Sequence, residues 1–156
     1  MADAMRPGTE DFGRRLFRLG QNWRRHVDMA MQQFGLTDAT WRPLFYLGRF
    51  GDGMRQKDLA AVLDIEGPSL VRLLDALERQ ELVERCGEAE DRRTKTLRMT
   101  AAGRAMYRKL DVVYRRISNQ LLHDVSDADI QACTRAFGQI EAVMAGLTPP
   151  KAGREH

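Results

Sequence analysis

The chain has 156 residues, enough for one domain with a real core. Charged residues make up 30% and the formal net charge is +3 with a pI near 9.1, a mild basic bias compatible with nucleic acid. Two cysteines exclude a disulfide scaffold, no stretch approaches the roughly 18 unbroken apolar residues of a membrane span, and MADAMRPGTED lacks an apolar signal core, so a cytoplasmic location is expected.

The first long helix is predicted from about Glu10 to Phe34. Phe12, Leu16, Leu19, Trp23, Val27, Ala30 and Phe34 recur at three- and four-residue steps. The other side carries Arg14, Arg15, Arg18 and Arg25, which fit either a solvated face or phosphate contacts. Gly35 ends this helix, and Thr37 caps a second one from Asp38 to about Phe50. Trp41, Leu44, Phe45 and Tyr46 give that helix a heavy aromatic load, and Pro43 is expected to kink it or weaken one backbone bond. Gly51-Asp52-Gly53 is a turn.

A short helix from about Gln56 to Leu63 follows, with Leu59, Ala60 and Leu63 on one narrow apolar face. Asp64-Ile65-Glu66-Gly67 breaks the pattern. Pro68 then suits the first turn of another helix, where its missing N–H would be unpaired anyway. Leu70, Leu73, Leu74 and Leu77 form that helix's core side. Pro68, Ser69 and Arg72 are left facing outward near its start, with Ser69 and Arg72 three apart and therefore neighbours. Arg bonds guanine in bidentate fashion, Ser bonds several bases, and the helix N-terminus favours phosphate. Leu82 to Cys86 and Lys95 to Met99 then make a hairpin. Leu97 and Met99 lie on one face of its second strand, and a polar tip runs from Gly87 to Arg93. Adjacent arginines on such a tip suit a narrow minor groove, and Asp91 suits a partner that orients one guanidinium. The expected architecture is mainly α with a small β-hairpin wing: a winged helix-turn-helix over about residues 37–100.

After the hairpin, Thr100 caps a helix running to about His123, striped with Met106, Leu110, Val113, Ile117 and Leu121. Ser126-Asp127-Ala128-Asp129 opens a last helix with the stripe Ile130, Cys133, Phe137, Ile140, Met144 and Leu147. These stripes exceed what the small reading head could cover, which points to a twofold copy of the same chain. The ends before about Glu10 and after Thr148 are expected to be flexible.

The stretch resembles the MarR family of bacterial transcription regulators, and within it the SlyA-like branch. The resemblance rests on Leu36-Thr37 followed by Trp41, on Ile65-Glu66-Gly67-Pro68-Ser69-Leu70-Val71-Arg72, and on Asp91-Arg92-Arg93 with Lys95, Leu97, Thr100 and Gly103. It covers nearly the whole chain and implies a single MarR-like domain over residues 1–156, with dimerisation helices at about 10–34 and 101–147. It also implies recognition-helix contacts from Ser69 and Arg72, a minor-groove arginine at Arg93 and its holding carboxylate at Asp91. The candidate DNA contacts are therefore Gln56, Pro68, Ser69, Arg72, Asp91, Arg92 and Arg93, and the expected partner is double-stranded DNA with a palindromic operator, bound by a homodimer.

MarR-like proteins often bind small aromatic acids. Trp23, Arg24 and His26, with Trp41 and Phe45, are the candidate lining of such a pocket, since apolar walls and one or two cations suit an aromatic carboxylate. Core packing of both tryptophans is the alternative. No resident cofactor or metal is expected: His26, His123 and His156 form no pair at helical ligand spacing, and Cys86 and Cys133 have no CxxC partner. No nucleophile–base grouping or Gly-rich phosphate loop is visible, so an enzyme is not expected. Cys86 reads as a small buried residue rather than an oxidant sensor. Repression, and activation by displacing another DNA-bound protein, both fit.

Overall fold

The computed structural model describes residues 8–87 and 95–147. Asp91, Arg92, Arg93 and the rest of the wing tip lie outside the described residues, as do both chain ends. The chain divides into two compact units, one up to Ser118 and one from Asn119 onward.

In the first unit, helix α1 (Thr9–Met31) continues into a single 3-10 turn, Gln32–Phe34. Gly35, at φ 70, stops it and donates its N–H to the Gln32 carbonyl at 3.1 Å. That left-handed conformation is one glycine adopts without a Cβ penalty. Only the C-terminal half of α1 is anchored. Val27 and Met31 are buried and Trp23, Ala30 and Phe34 pack partly against the core, whereas Phe12, Leu16 and Leu19 are exposed.

Helix α2 (Asp38–Phe50) begins at Thr37, whose backbone N–H donates to Thr40 Oγ1 at 2.9 Å. It runs unbroken through Pro43, which is fully buried. Proline forfeits one backbone bond there, and the burial of Trp41, Leu44, Phe45 and Leu47 around it outweighs that loss. Phe45 is the centre of an aromatic group, with ring centroids 5.7 Å from Trp41, 6.0 Å from Tyr46 and 4.7 Å from Tyr114.

A two-residue strand that the sequence pattern does not announce, β1 (Met54–Arg55), precedes α3 (Gln56–Leu63) and α4 (Gly67–Arg79). Strands β2 (Val83–Gly87) and β3 (Lys95–Met99) complete an antiparallel sheet of order β1-β3-β2, with Met54 opposite Leu97 and Arg85 opposite Leu97 from the other side. The expected hairpin is therefore a three-stranded sheet whose central strand is β3. Leu97 and Met99 are buried, as their alternation requires. Asp52, in the turn before β1, accepts the Met99 N–H at 2.9 Å, while Gly53 donates to the Leu97 carbonyl at 2.9 Å, so the turn is sewn to the central strand.

Helix α5 (Ala101–Leu121) starts at Thr100, whose hydroxyl accepts the Gly103 N–H at 2.9 Å and donates to the Glu81 carbonyl at 2.6 Å. Leu110 and Val113 carry α5 into the core of the first unit.

The second unit is built on α6 (Asp127–Gly146), capped by Ser126, which accepts the Asp129 N–H at 3.2 Å. No residue of α6 is buried. Phe137, Val143 and Met144 stand exposed along it, and Leu147 is exposed just past its end.

Candidate nucleic-acid interface

Two helices and the sheet beside them present the site. Asp64, at φ 52, turns the chain sharply out of α3, and Pro68 falls in the first turn of α4. Leu70, Leu74 and Leu77 bury one side of α4 completely. Burying three leucines supplies roughly 5–9 kcal/mol against exposure, and it fixes the rotation of the helix about its axis. Pro68, Ser69 and Arg72 then have to face outward, and all three are exposed. Arg72 has no ion-pair partner among the described residues, and its side chain is exposed. Gln56, at the head of α3, is half-buried, with Lys57 exposed beside it. Arg98 and Lys95 on β3 are exposed as well.

A residue that the sequence reading did not single out ties α4 to the wing. The Arg85 side chain, on β2, is only 16% exposed. Its guanidinium bonds Asp75 at 2.8 Å, pairs with Glu78, and donates to the Val71 carbonyl at 3.1 Å. The Arg85 backbone N–H also donates to Glu78 Oε1 at 3.1 Å. The signal that could have found it is weak: Asp75 and Glu78 are three apart on one helix face and need a cation, but the sequence offers many.

The residues expected to line an aromatic-acid pocket do not come together as one. Trp41 and Phe45 are buried in the core. The Trp41 indole N–H donates to Asp28 Oδ1 at 2.8 Å, which satisfies the only polar atom of the ring. Trp23 is half-buried against the core, and His26 is exposed with its ring nitrogen 2.8 Å from the Asn22 carbonyl. Arg24 sits 3.6 Å from Asp28 and lines a polar depression of about 320 Å³ with Gln21, Arg25, Asp28, Met29 and Gln32. Trp41 and Phe45 thus follow the core alternative, since large aromatics at three- and four-residue steps are what a helix needs to fill a core. A different, shallow and open depression of about 530 Å³ is lined by Phe34, Ala105, Arg108, Lys109, Val112 and Val113.

Arg42 is half-buried on α2, and its guanidinium is pulled below its ordinary value by burial and then by the charge of Arg24. Among the described residues, no group of three His, Cys, Asp or Glu side chains could hold a metal ion. Cys86 is half-buried and Cys133 exposed. Among the described residues no helix is long and apolar enough to cross a membrane.

A helix seated on α2 and α3, with a three-stranded sheet beside it and an outward polar face, defines a winged helix-turn-helix. The comparisons agree. Residues 34–94 match the model of the MarR family. The transcriptional regulator PA3341 is 32% identical, with 87% of this chain and 99% of that one covered and a TM-score of 0.82. Staphylococcus aureus MepR in its DNA-binding conformation is 25% identical, over 83% of this chain and 96% of that one, with a TM-score of 0.73. CouR from Rhodococcus jostii RHA1, solved bound to p-coumaroyl-CoA, shares the fold at 22% identity and a TM-score of 0.73, over 85% and 92% of the two chains. The chain belongs to the MarR family and is a DNA-binding transcription regulator, a class distinct from enzymes.

Proposed function

We propose that this regulator binds a palindromic operator as a homodimer, with α4 of each subunit in a major groove and the wing in the adjacent minor groove. Ser69 and Arg72 would touch base edges, Pro68 and Gln56 would pack against the backbone, and Asp91 would orient Arg93, with Arg92 beside it. The SlyA-like motif residues are consistent with this assignment of roles. One observation carries the reading: α4 has one side wholly buried by Leu70, Leu74 and Leu77, and on the other an exposed Arg72 that has no ion-pair partner among the described residues. An interaction module for protein would instead place apolar side chains at that face.

The dimer is supported by the exposed apolar residues Phe12, Leu16 and Leu19 on α1 and Phe137, Val143 and Met144 on α6. For an effector, the open depression lined by Phe34, Ala105, Val112 and Val113 with Arg108 and Lys109 offers apolar surface beside two cations, the groups an aromatic carboxylate would use. The experiment is selection of bound sequences from random duplex DNA, repeated with salicylate-like acids. An enriched inverted repeat, with binding that weakens steeply as salt rises, is expected. Recovery of no shared sequence would overturn the operator reading. Unchanged affinity and unchanged melting temperature with the acids would leave an effector-independent regulator.

A further inference from the structure

We infer that Arg85 is a positioning residue for DNA recognition: it locks the wing to the recognition helix so that both enter their grooves in one register. The inference rests on the reading that α4 enters DNA, and it deepens that reading.

The geometry is specific. Arg85 lies on β2, the strand that leads to the wing tip, and its side chain crosses to α4 instead of pointing to solvent. There it meets three successive positions of one helix face: the Val71 carbonyl, Asp75 and Glu78. Val71 is the residue immediately before Arg72. A guanidinium donor at the Val71 carbonyl therefore fixes the backbone beside the exposed arginine that would read bases. Glu78 closes the connection from the other side by accepting both the Arg85 backbone N–H and its side chain. The strand and the helix are thus joined at main chain and side chain together. A planar fork with five donors can serve three acceptors at once, whereas an ammonium presents a single point charge.

The same contacts argue that Arg85 does not itself bind phosphate. Two carboxylates neutralise it, and its side chain is only 16% exposed. Its role would be exerted through Arg72 and Ser69 on one side and the wing on the other.

The test measures full-length Arg85→Ala, Arg85→Lys and the triple variant Arg85→Ala with Asp75→Asn and Glu78→Gln. The readouts are melting temperature, affinity for the operator selected by the wild type, and discrimination between it and operators carrying one altered base pair. The triple variant removes the two carboxylates that Arg85→Ala alone would leave facing DNA, so charge repulsion is separated from positioning. All three variants are expected to stay folded at the assay temperature and to lose roughly tenfold or more in discrimination, the scale of one displaced base contact. Arg85→Lys should fail to rescue. The log–log salt slope should stay within error of wild type, since no phosphate contact is removed.

Wild-type discrimination in the triple variant and in Arg85→Lys would overturn the inference while leaving the DNA reading intact. So would a salt slope reduced by about one with discrimination unchanged, because that marks a direct phosphate contact. A wild-type chain that selects no sequence would instead overturn the DNA reading on which the inference stands.

Discussion

The carbonyl oxygen of Leu82 occupies the space where a Cβ on Gly103 would lie, and its carbonyl carbon is only 2.9 Å from that point. This contact sets the first turn of α5 directly against the chain entering β2. It is reinforced by the Thr100 N–H, which donates to the same Leu82 oxygen at 3.1 Å. Because the obstacle is backbone and not the end of a flexible side chain, Gly103→Ala cannot be absorbed by a rotamer change. Overpacking of this kind costs about 1–3 kcal/mol or more. Urea denaturation of Gly103→Ala should show a lower midpoint at unchanged slope; a wild-type midpoint would mean that the α5–β2 junction is not held as described.

Arg72 and Arg93 are expected to fail differently when removed. Arg72 stands on a helix whose rotation is fixed by three buried leucines, so Arg72→Ala should leave the fold intact. It should cost about 1–3 kcal/mol of operator binding and flatten preference at the bases it faces. Arg93 lies outside the described residues, and the role proposed for it rests on the family resemblance. Arg93→Ala should weaken operator binding with the dimer still folded. Competition binding with single-base operator variants separates the two, and wild-type binding by both would remove the proposed contacts.

The bond between Trp41 and Asp28 gives a third prediction. The Asp28 carboxylate is mostly buried, takes the indole N–H at 2.8 Å, and has Arg24 at 3.6 Å. Trp41→Phe keeps the ring but deletes the donor, leaving a largely buried carboxylate short of a partner. The expected loss is about 1–3 kcal/mol in unfolding free energy. Asp28→Asn in the Trp41→Phe background should recover part of it, since the uncharged amide is easier to bury. No recovery would mean that lost packing, and not the stranded charge, dominates.

Trp41 also shows where sequence reading stops. Periodicity places Trp41 and Phe45 on one face of α2, but it does not say whether that face meets a neighbour or a ligand; only long-range packing onto α5 residues such as Tyr114 decides it. Elements whose signals are local were legible: Gly35 as a stop, Pro68 as a start, Ser126 as a cap, and the Leu97/Met99 alternation. Strand β1 was not, because two residues carry no period and Met54 is a strand only through its pairing with Leu97. Pro43 reads as a breaker, yet burial of Trp41, Leu44, Phe45 and Leu47 around it holds the helix through it. Within the interface, the exposed Ser69 and Arg72 followed from the leucine spacing alone. Arg85 did not, since its partners lie 7 to 14 residues away on another element.

Leu19 and Met144 test the dimer. Leu19 is 61% exposed on α1 and Met144 is 64% exposed on α6. In an isolated chain, replacing either by Glu removes exposed apolar surface and should leave folding intact. At a subunit interface the same change would bury a carboxylate without a partner, which is costly far beyond the lost contact area. Leu19→Glu and Met144→Glu should therefore shift sedimentation toward the monomer with helical content largely retained. The melting temperature of the wild type should rise with protein concentration, and that dependence should weaken in the variants as association is lost. Operator affinity should fall with the dimer, because one head on one half-site forgoes the second set of contacts. If both variants sediment as wild type, the apolar residues exposed on these two helices are not what joins the subunits.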